Sequence, residues 1–265
     1  MTNREIKRRI GTVKETMKIT DAMYSISMAK TVSTRASLEA ADRYDGVTAR
    51  MMENVAGAFP DHPLFKERGA RTGYIVVTSD KGLCGDYNQL VADRAREEIL
   101  SAEERYVFTV GSTGRDMLAK SGIEADAEYL RGTAVHTTSE SVARDMLDLY
   151  MGDMLDVVKV VYTDVKGQAD ATKTILPIRV SPRHVEVDPL VPSTAEKCAL
   201  RYLTARMRAV LLNAALSEHV ARARVMSQAT DNAEEMIGDL TAKYNRARQE
   251  SITRALQDVG SNREV

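Results

Sequence analysis

The chain has 265 residues, of which 28% are charged and 43% hydrophobic, and its formal net charge is −1. This composition fits one or two modest soluble domains, and the overall charge gives no indication of a nucleic-acid partner. Cys84 and Cys198 lie far apart without C-x-x-C spacing, which argues against a disulfide framework or zinc site and favours a reducing compartment. No signal-peptide core and no run of 18 apolar residues occurs, so the sequence predicts neither export nor a membrane span.

The charges are unevenly distributed. Residues 1–50 hold ten Lys and Arg against six Asp and Glu, and residues 194–265 hold eleven against nine. Residues 51–193 hold sixteen against twenty-three. The basic ends indicate either an acidic partner or the solvated faces of helices, and both interpretations stay open.

Glycine and proline divide the chain into three parts. All six prolines lie between residues 57 and 192, and neither residue type occurs between Gly11 and Gly46. Because these residues interrupt helices, their distribution predicts helical ends around a turn-rich middle. The predicted parts are a coiled-coil helix over 1–57, an α/β domain over 70–190 and a second coiled-coil helix over 194–260.

The N-terminal helix has apolar residues in heptad spacing, which favours a coiled coil. The predicted contact positions begin with Ile6, Ile10, Val13 and Met17. A shift in the pattern, resembling a stutter, then moves the predicted contacts to a second set rich in alanine. That second set comprises Ala22, Ile26, Ala29, Ala36 and Ala40.

The middle part alternates strand and helix patterns. Strands are predicted over residues 73–80, 105–111, 156–165 and 171–180, and helices over 87–100, 114–122 and 139–154. Such alternation predicts a mostly parallel sheet with helical crossovers. Pro177 favours an edge position for the last strand, because proline cannot donate a hydrogen bond to a neighbouring strand.

The loop over residues 78–88 follows the first strand, where a dinucleotide or phosphate binds in many α/β folds. It contains only Gly82 and Gly85, and so lacks both the G-x-G-x-x-G and the P-loop pattern. We therefore predict no nucleotide cofactor here. Cys84 beside Asp80 and Lys81 is better explained as a small apolar residue in a tight turn than as a nucleophile, since no sequence signal places a histidine nearby. The later loop "GSTG" (111–114) is interpreted as a turn with a helix cap.

The C-terminal helix is predicted to run from near Ala195 to near Val259. Asp231 and Glu234 have the form of a capping box, but a heptad pattern continues through them, so the helix is expected to be unbroken. Gly238 indicates either a bend or a tight helix crossing. So long a helix needs a partner, and the N-terminal helix supplies one. The predicted contacts are Ala209, Leu212, Leu216, His219, Ala223, Met226, Thr230, Ala233, Ile237, Leu240, Tyr244, Ala247 and Ser251.

Four segments resemble the gamma subunits of F-type ATP synthases. They are residues 4–23, 73–88 ("GYIVVTSDKGLCGDYN"), 174–178 ("TILPI") and 217–253, and they fall in the order of that family. The resemblance implies a long antiparallel coiled coil of the terminal helices with an inserted Rossmann-like α/β domain that binds no nucleotide.

The resemblance also implies a function. A gamma subunit is a non-catalytic rotor that couples ion-driven rotation of the c-subunit ring to ATP synthesis or hydrolysis in the alpha-beta hexamer. Its partners are the alpha, beta and epsilon subunits and the c ring, with no nucleic acid. Membrane association is through the complex only, on the cytoplasmic side of a bacterial plasma membrane.

Partner-binding residues follow only where the motifs match. The resemblance places Met23, Arg248, Gln249 and Thr253 against a beta subunit, and Lys7, Arg8 and Arg9 in a basic stretch against the hexamer. Glu186 and Asp188, in "HVEVDP", are expected near the c ring, although the family commonly has an aromatic pair before Glu-Pro there.

Two other classes of protein share parts of this pattern. A static coiled-coil scaffold would have the same long helices, and a Rossmann enzyme would have a similar middle domain. The absence of a glycine fingerprint argues against the enzyme, and the terminal motifs argue against the scaffold.

Overall fold

The structure is a computed structural model that describes residues 2–130, 135–165, 171–183 and 192–261. Helix α1 (Asn3–Ala58) and helix α5 (Pro192–Ser261) contain 56 and 70 residues, and a mixed sheet is formed by the chain between them. Contacts divide the protein into a first unit, Met1–Met28 with Arg222–Val265, and a second unit, Ala29–Ala221. Helix α5 continues through Asp231 and Glu234, so these residues do not begin a helix.

In the first unit, α1 and α5 pack against each other along the predicted face of α5. The hydroxyl oxygens of Thr20 and Thr230 lie 2.8 Å apart and form a hydrogen bond between the helices. Ser251 is exposed, so its predicted contact is wrong. The other predicted contacts of this unit are confirmed. Ala223, Met226, Ala233 and Leu240 are buried, and Thr230, Ile237, Tyr244 and Ala247 are half-buried.

The predicted shift on α1 is wrong. After Met17 the face towards α5 continues through Thr20, Met23 and Ser27, whereas Ala22 is exposed and Ile26 is 57% exposed. The Thr20 hydroxyl donates to the Met17 carbonyl oxygen at 3.0 Å, and that of Ser27 donates to the Met23 carbonyl oxygen at 2.7 Å. Because their own helix satisfies these hydroxyls, small polar side chains can occupy a tight interface.

The same correction applies to α1 in the second unit. Ala29, Ala36 and Ala40 are exposed, while Leu38 and Ala41 are buried. The apolar pattern that predicted these alanines therefore follows the outer face of the helix.

Gly238 does not mark a tight helix crossing. A Cβ atom built at this glycine would meet no atom within 4 Å, and the residue is exposed. The alternative of a tight crossing is therefore wrong, and α5 is continuous on both sides of the glycine.

In the second unit, the two long helices pack antiparallel. Leu38 and Ala41 of α1 form an apolar cluster with residues of α5 that include Ala209 and Leu212. Asp45 lies one turn after Ala41 on α1, and Arg206 lies about one turn before Ala209 on α5. These two residues form an ion pair, with 3.1 Å between Asp45 Oδ1 and Arg206 Nε. Burial raises the pKa of the Asp45 carboxyl, against the opposing effect of the Arg206 charge.

The sheet in the second unit has five strands in the order β3-β2-β1-β4-β5. The strands are β1 (Arg71–Val77), β2 (Glu104–Val110), β3 (Ala127–Tyr129), β4 (Val157–Tyr162) and β5 (Ala171–Leu176). All neighbours are parallel except β4 and β5. The parallel core and the edge position of β5 before Pro177 are confirmed. The three-residue β3 was not predicted, because so short a strand has no detectable periodicity.

Helices cover both faces of this sheet. They are α2 (Tyr87–Leu100), α3 (Ser112–Lys120) and α4 (Val135–Met151), with a 3-10 turn at Pro63–Phe65. One face packs against α2 and α3, and the other against α4 and the adjoining parts of α1 and α5. The α2 bounds are as predicted, whereas α3 begins two residues and α4 four residues earlier than predicted. Within the described ranges, no helix combines the length and apolarity needed to span a bilayer.

An ion pair joins the beginnings of β1 and β4. The carboxylate of Asp156, which is 2% exposed, accepts hydrogen bonds from the Arg71 backbone N at 3.1 Å and from its guanidinium Nε and Nη2 at 2.9 Å each. The bonds from Arg71 hold the pKa of the Asp156 carboxyl below its ordinary value. This pair fixes the register at one end of the two central strands.

We expect Asp156→Asn to lower the free energy of unfolding by about 1.5–3 kcal/mol at pH 7, because a charged hydrogen-bond acceptor is lost. The folded-state pKa is lowered, so this stabilisation is complete above the unfolded-state pKa of about 3.9 and disappears as pH falls through the folded-state pKa. Urea unfolding of both proteins at pH 7 and at successively lower pH should show the difference shrinking. Asp116→Asn, at an exposed ion pair, is the matched control. A difference that persists unchanged in acid would contradict this assignment.

Ala233 and Asn232 test the packing of α5. Ala233 is 8% exposed and Asn232 is exposed. Ala233→Leu should therefore destabilise the helix pair by about 1–3 kcal/mol through overpacking, whereas Asn232→Ala should be nearly neutral. Thermal unfolding of the two variants gives the comparison, and equal shifts in Tm would be inconsistent with the packing described above.

Candidate functional site: partner-binding surfaces

The basic residues at the start of α1 are exposed and unpaired within the described part of the chain. A capping box begins this helix, in which Thr2 N donates to Glu5 Oε2 at 2.7 Å and Glu5 N donates to Thr2 Oγ1 at 3.3 Å. These bonds lower the pKa of Glu5. The capping box was not predicted, although its T-x-x-E spacing is readable in the sequence. Lys7, Arg8 and Arg9 follow it with no carboxylate partner among the described residues, which leaves their charges available to a partner.

The predicted partner residues near the end of α5 are also exposed. The Thr253 hydroxyl donates to the Gln249 carbonyl oxygen at 3.0 Å, so its oxygen remains available as an acceptor. Arg248 has no ion pair among the described residues. Because α1 and α5 are antiparallel, this group and the basic start of α1 lie towards the same end of the first unit.

Met23 is placed differently from the other predicted residues. It is half-buried on the face of α1 that packs against α5, so only part of its side chain is available to a partner. Glu186 and Asp188 lie outside the described residues.

An outward apolar stripe on α1 was missed as a binding surface. Ile19 is 61% exposed and Ile26 is 57% exposed, and their spacing of seven residues places them on the same face of the helix. Clustered apolar side chains on a surface indicate contact with another protein. The signal was present in the sequence, because α1 carries two apolar stripes and only one can face α5.

The loop after β1 is held in place by its own side chains. Asn88 Oδ1 accepts from Ser79 N at 2.9 Å, and Asn88 Nδ2 donates to Cys84 Sγ at 3.3 Å. Cys84 is 1% exposed, which confirms a small buried residue in a tight turn. Leu83 and Gly85 have φ angles of 63° and 64°, a left-handed conformation that costs energy at a leucine.

The amino end of α3 is already occupied by atoms of the β1 loop. The backbone N atoms of Ser112, Thr113 and Gly114 donate to Asp80 Oδ1 (3.3 Å), Ser79 O (3.2 Å) and Thr78 Oγ1 (2.9 Å) respectively. Phosphates bind such helix termini through free N–H groups. The first three N–H groups of α3 already donate to protein oxygen atoms, so they are not free. Gly111 has a φ of 101°, and a Cβ there would lie 2.4 Å from the Thr78 carbonyl oxygen. The two loops are therefore in direct contact at this edge of the sheet.

We expect the purified chain to bind neither ATP nor NAD, because the first three amide groups of α3 already donate to protein atoms and the loop after β1 lacks a glycine fingerprint. Isothermal titration calorimetry with each nucleotide provides the measurement. One-to-one binding at micromolar concentration would overturn the expectation. The described residues contain no group of three or more His, Cys, Asp or Glu able to hold a metal ion.

Comparison with known proteins gives a consistent family. The family profile described as ATP synthase matches residues 2–264. The chain is 34% identical to the ATP synthase gamma chain of Symbiobacterium thermophilum, over 96% of this chain and 94% of that one. It is 32% identical to the ATP synthase gamma chain of an Anaeromyxobacter species, over 99% and 98%.

Solved structures show the same fold. The rotor of Euglena gracilis mitochondrial ATP synthase matches with a TM-score of 0.67 at 16% identity, over 94% of this chain and 98% of that one. The central stalk and c-ring structure of Tetrahymena thermophila mitochondrial ATP synthase matches with a TM-score of 0.64 at 21% identity, over 80% and 99%. At these identities the likeness establishes the fold alone.

Proposed function

This chain belongs to the gamma-chain family of ATP synthases, and we propose that it is the central-stalk rotor of such an enzyme. The observation that carries the proposal is the match of residues 2–264 to the family, together with the antiparallel packing of α1 and α5. In this role the chain couples ion-driven rotation of a c-subunit ring to ATP synthesis or hydrolysis in an alpha-beta hexamer.

A rotor of this form acts by presenting different faces to identical partners. The outer surface of the first unit is unequal around its circumference, with Ile19 and Ile26 exposed on α1 and with Asp231 and Asn232 exposed on α5. Each catalytic beta subunit therefore meets a different surface at each angle of rotation. Differential contacts of this kind shift the affinity of a beta subunit for its nucleotides.

The proposed contacts with the hexamer lie in the first unit. Arg248, Gln249 and Thr253 offer exposed hydrogen-bonding groups to a beta subunit, and Met23 contributes the exposed part of its side chain. Lys7, Arg8 and Arg9 supply uncompensated positive charge to the hexamer. Glu186 and Asp188 are proposed to approach the c ring, and the epsilon subunit is a further proposed partner.

We propose that the chain is not itself catalytic and that the chemistry takes place in the beta subunits. The one thiol in the loop after β1 is buried and hydrogen-bonded by Asn88, which does not suit a nucleophile. The proposed location is the cytoplasmic side of a bacterial plasma membrane, held there by the other subunits.

A covalent bridge between this chain and one beta subunit distinguishes a rotor from a static scaffold. In a complex reconstituted with cognate alpha and beta subunits, Cys84→Ser and Cys198→Ala first remove the native thiols. Asn232→Cys is then paired with a cysteine on the facing beta surface. Asn232 is exposed and lies close to the Thr20–Thr230 hydrogen bond, where α1 and α5 are packed together. Multi-site ATPase activity should fall steeply when this bridge is oxidised and return on reduction.

Gln249→Cys provides the comparison, because it lies nearer the end of the helix pair. Because the helices are antiparallel and Thr20 meets Thr230, Gln249 lies opposite the beginning of α1, where the helix pair ends. There α5 can swivel or unwind. A bridge at Gln249 should therefore inhibit less than the one at Asn232. Full turnover with the Asn232 bridge completely formed would show that the chain is a static scaffold.

A further inference from the structure

A groove of about 620 Å³ lies on the second unit. Tyr44 of α1 and His136 of α4 line two of its sides, and the third side is one face of α5 between Lys197 and Arg208. A smaller hollow of about 90 Å³ shares Tyr44 and Arg208 with it, so the depression continues between α1 and α5.

The α5 face of this groove carries three exposed cations. Lys197, Arg201 and Arg208 follow one another by four and seven residues, which places them within about 40° of each other around the helix. None of the three has an ion pair within the described residues. Like charges four residues apart on a helix repel each other, so this arrangement does not stabilise the folded chain by itself.

The rest of the groove is less polar. Leu200 is half-buried, Ala205 is buried, and the ring of Tyr44 is half exposed. The one carboxylate in the lining, Glu140, is paired with Arg144 at 3.0 Å, so it does not neutralise the three cations. The groove therefore has an apolar floor and a cationic rim.

We propose that this groove docks an amphipathic acidic helix of a partner protein. Lys197 and Arg208 are separated by about 16 Å along α5, a length of three helical turns. A helix laid along α5 can present carboxylates at the same spacing and apolar side chains towards Leu200 and Tyr44. Binding of this kind belongs to the known mode in which an amphipathic helix lies in a groove. It does not depend on the rotor function, because every residue that forms the groove lies in this chain.

The test uses the purified full-length chain and a synthetic peptide. The probe is a fluorescently labelled helical peptide of about five turns, with Glu residues spaced by four and seven and Leu on the adjoining face. Fluorescence anisotropy should show saturable one-to-one binding that weakens as salt concentration rises, because ion pairs on an exposed rim are screened. A scrambled peptide of the same composition, which is not amphipathic, should bind at least about ten-fold more weakly.

Charge-matched variants locate the binding site. The triple variant Lys197→Gln, Arg201→Gln, Arg208→Gln should lose about ten-fold or more in affinity. The matched control is Arg43→Gln, Arg50→Gln, Lys120→Gln, which removes three exposed cations that do not line the groove. The control should keep its affinity, and Tyr44→Ser should weaken binding by removing part of the apolar floor.

Three results would overturn the proposal. Equal losses in both triple variants would mean that the peptide responds only to total charge. Equal binding of the scrambled peptide would exclude helix docking. Displacement of the peptide from the unmodified chain by micromolar inorganic pyrophosphate would identify a small-anion site instead.

Discussion

The architecture depends on close packing between α1 and α5, which come from opposite ends of the sequence. Because the chain between them must leave one helix and return to the other, the α/β domain is necessarily an insertion. The contact combines small side chains, such as Thr20, Ser27 and Ala233, with larger apolar ones such as Met226 and Leu240. Small residues allow the two backbones to approach, and their hydroxyls are satisfied by their own helix or by the hydroxyl opposite.

The same feature explains which parts of the structure were predictable. The contact face of α5 could be predicted from the spacing of residues such as Leu216, Met226 and Leu240, because the apolar residues in heptad spacing are also the buried ones on this helix. On α1 the buried face and the apolar pattern separate after Met17, because Thr20 is half-buried and Ser27 is buried while Ile26 is exposed. A method that follows hydrophobicity selects the wrong stripe, since nothing in the local sequence says which face meets the partner helix. The short β3 was missed for a different reason, because its pairing with β2 is set by tertiary structure.

The α/β domain illustrates how a fold can keep its topology without its usual ligand site. In open parallel sheets, ligands bind beyond the carboxyl ends of the strands, where the strand order reverses. Here β1 lies between β2 and β4, and the loop after β1 fills that position with Thr78, Ser79 and Asp80. Their oxygen atoms accept hydrogen bonds from the first amides of α3, which serve phosphates in other proteins. The missing glycines were visible in the sequence, but the replacement contacts were not, because they join loops about thirty residues apart.

The exposed apolar stripe on α1 follows from the composition of the helix interface. If Ile19 and Ile26 faced α5, their bulk would hold the helices apart, and the hydrogen bond between Thr20 and Thr230 could not form. Their outward position therefore has a structural cause. A surface that combines these apolar side chains on α1 with Asp231 and Asn232 on α5 differs from one side to the other. A shaft needs that difference to act on identical subunits in turn, since a uniform surface would offer each of them the same contacts at every angle.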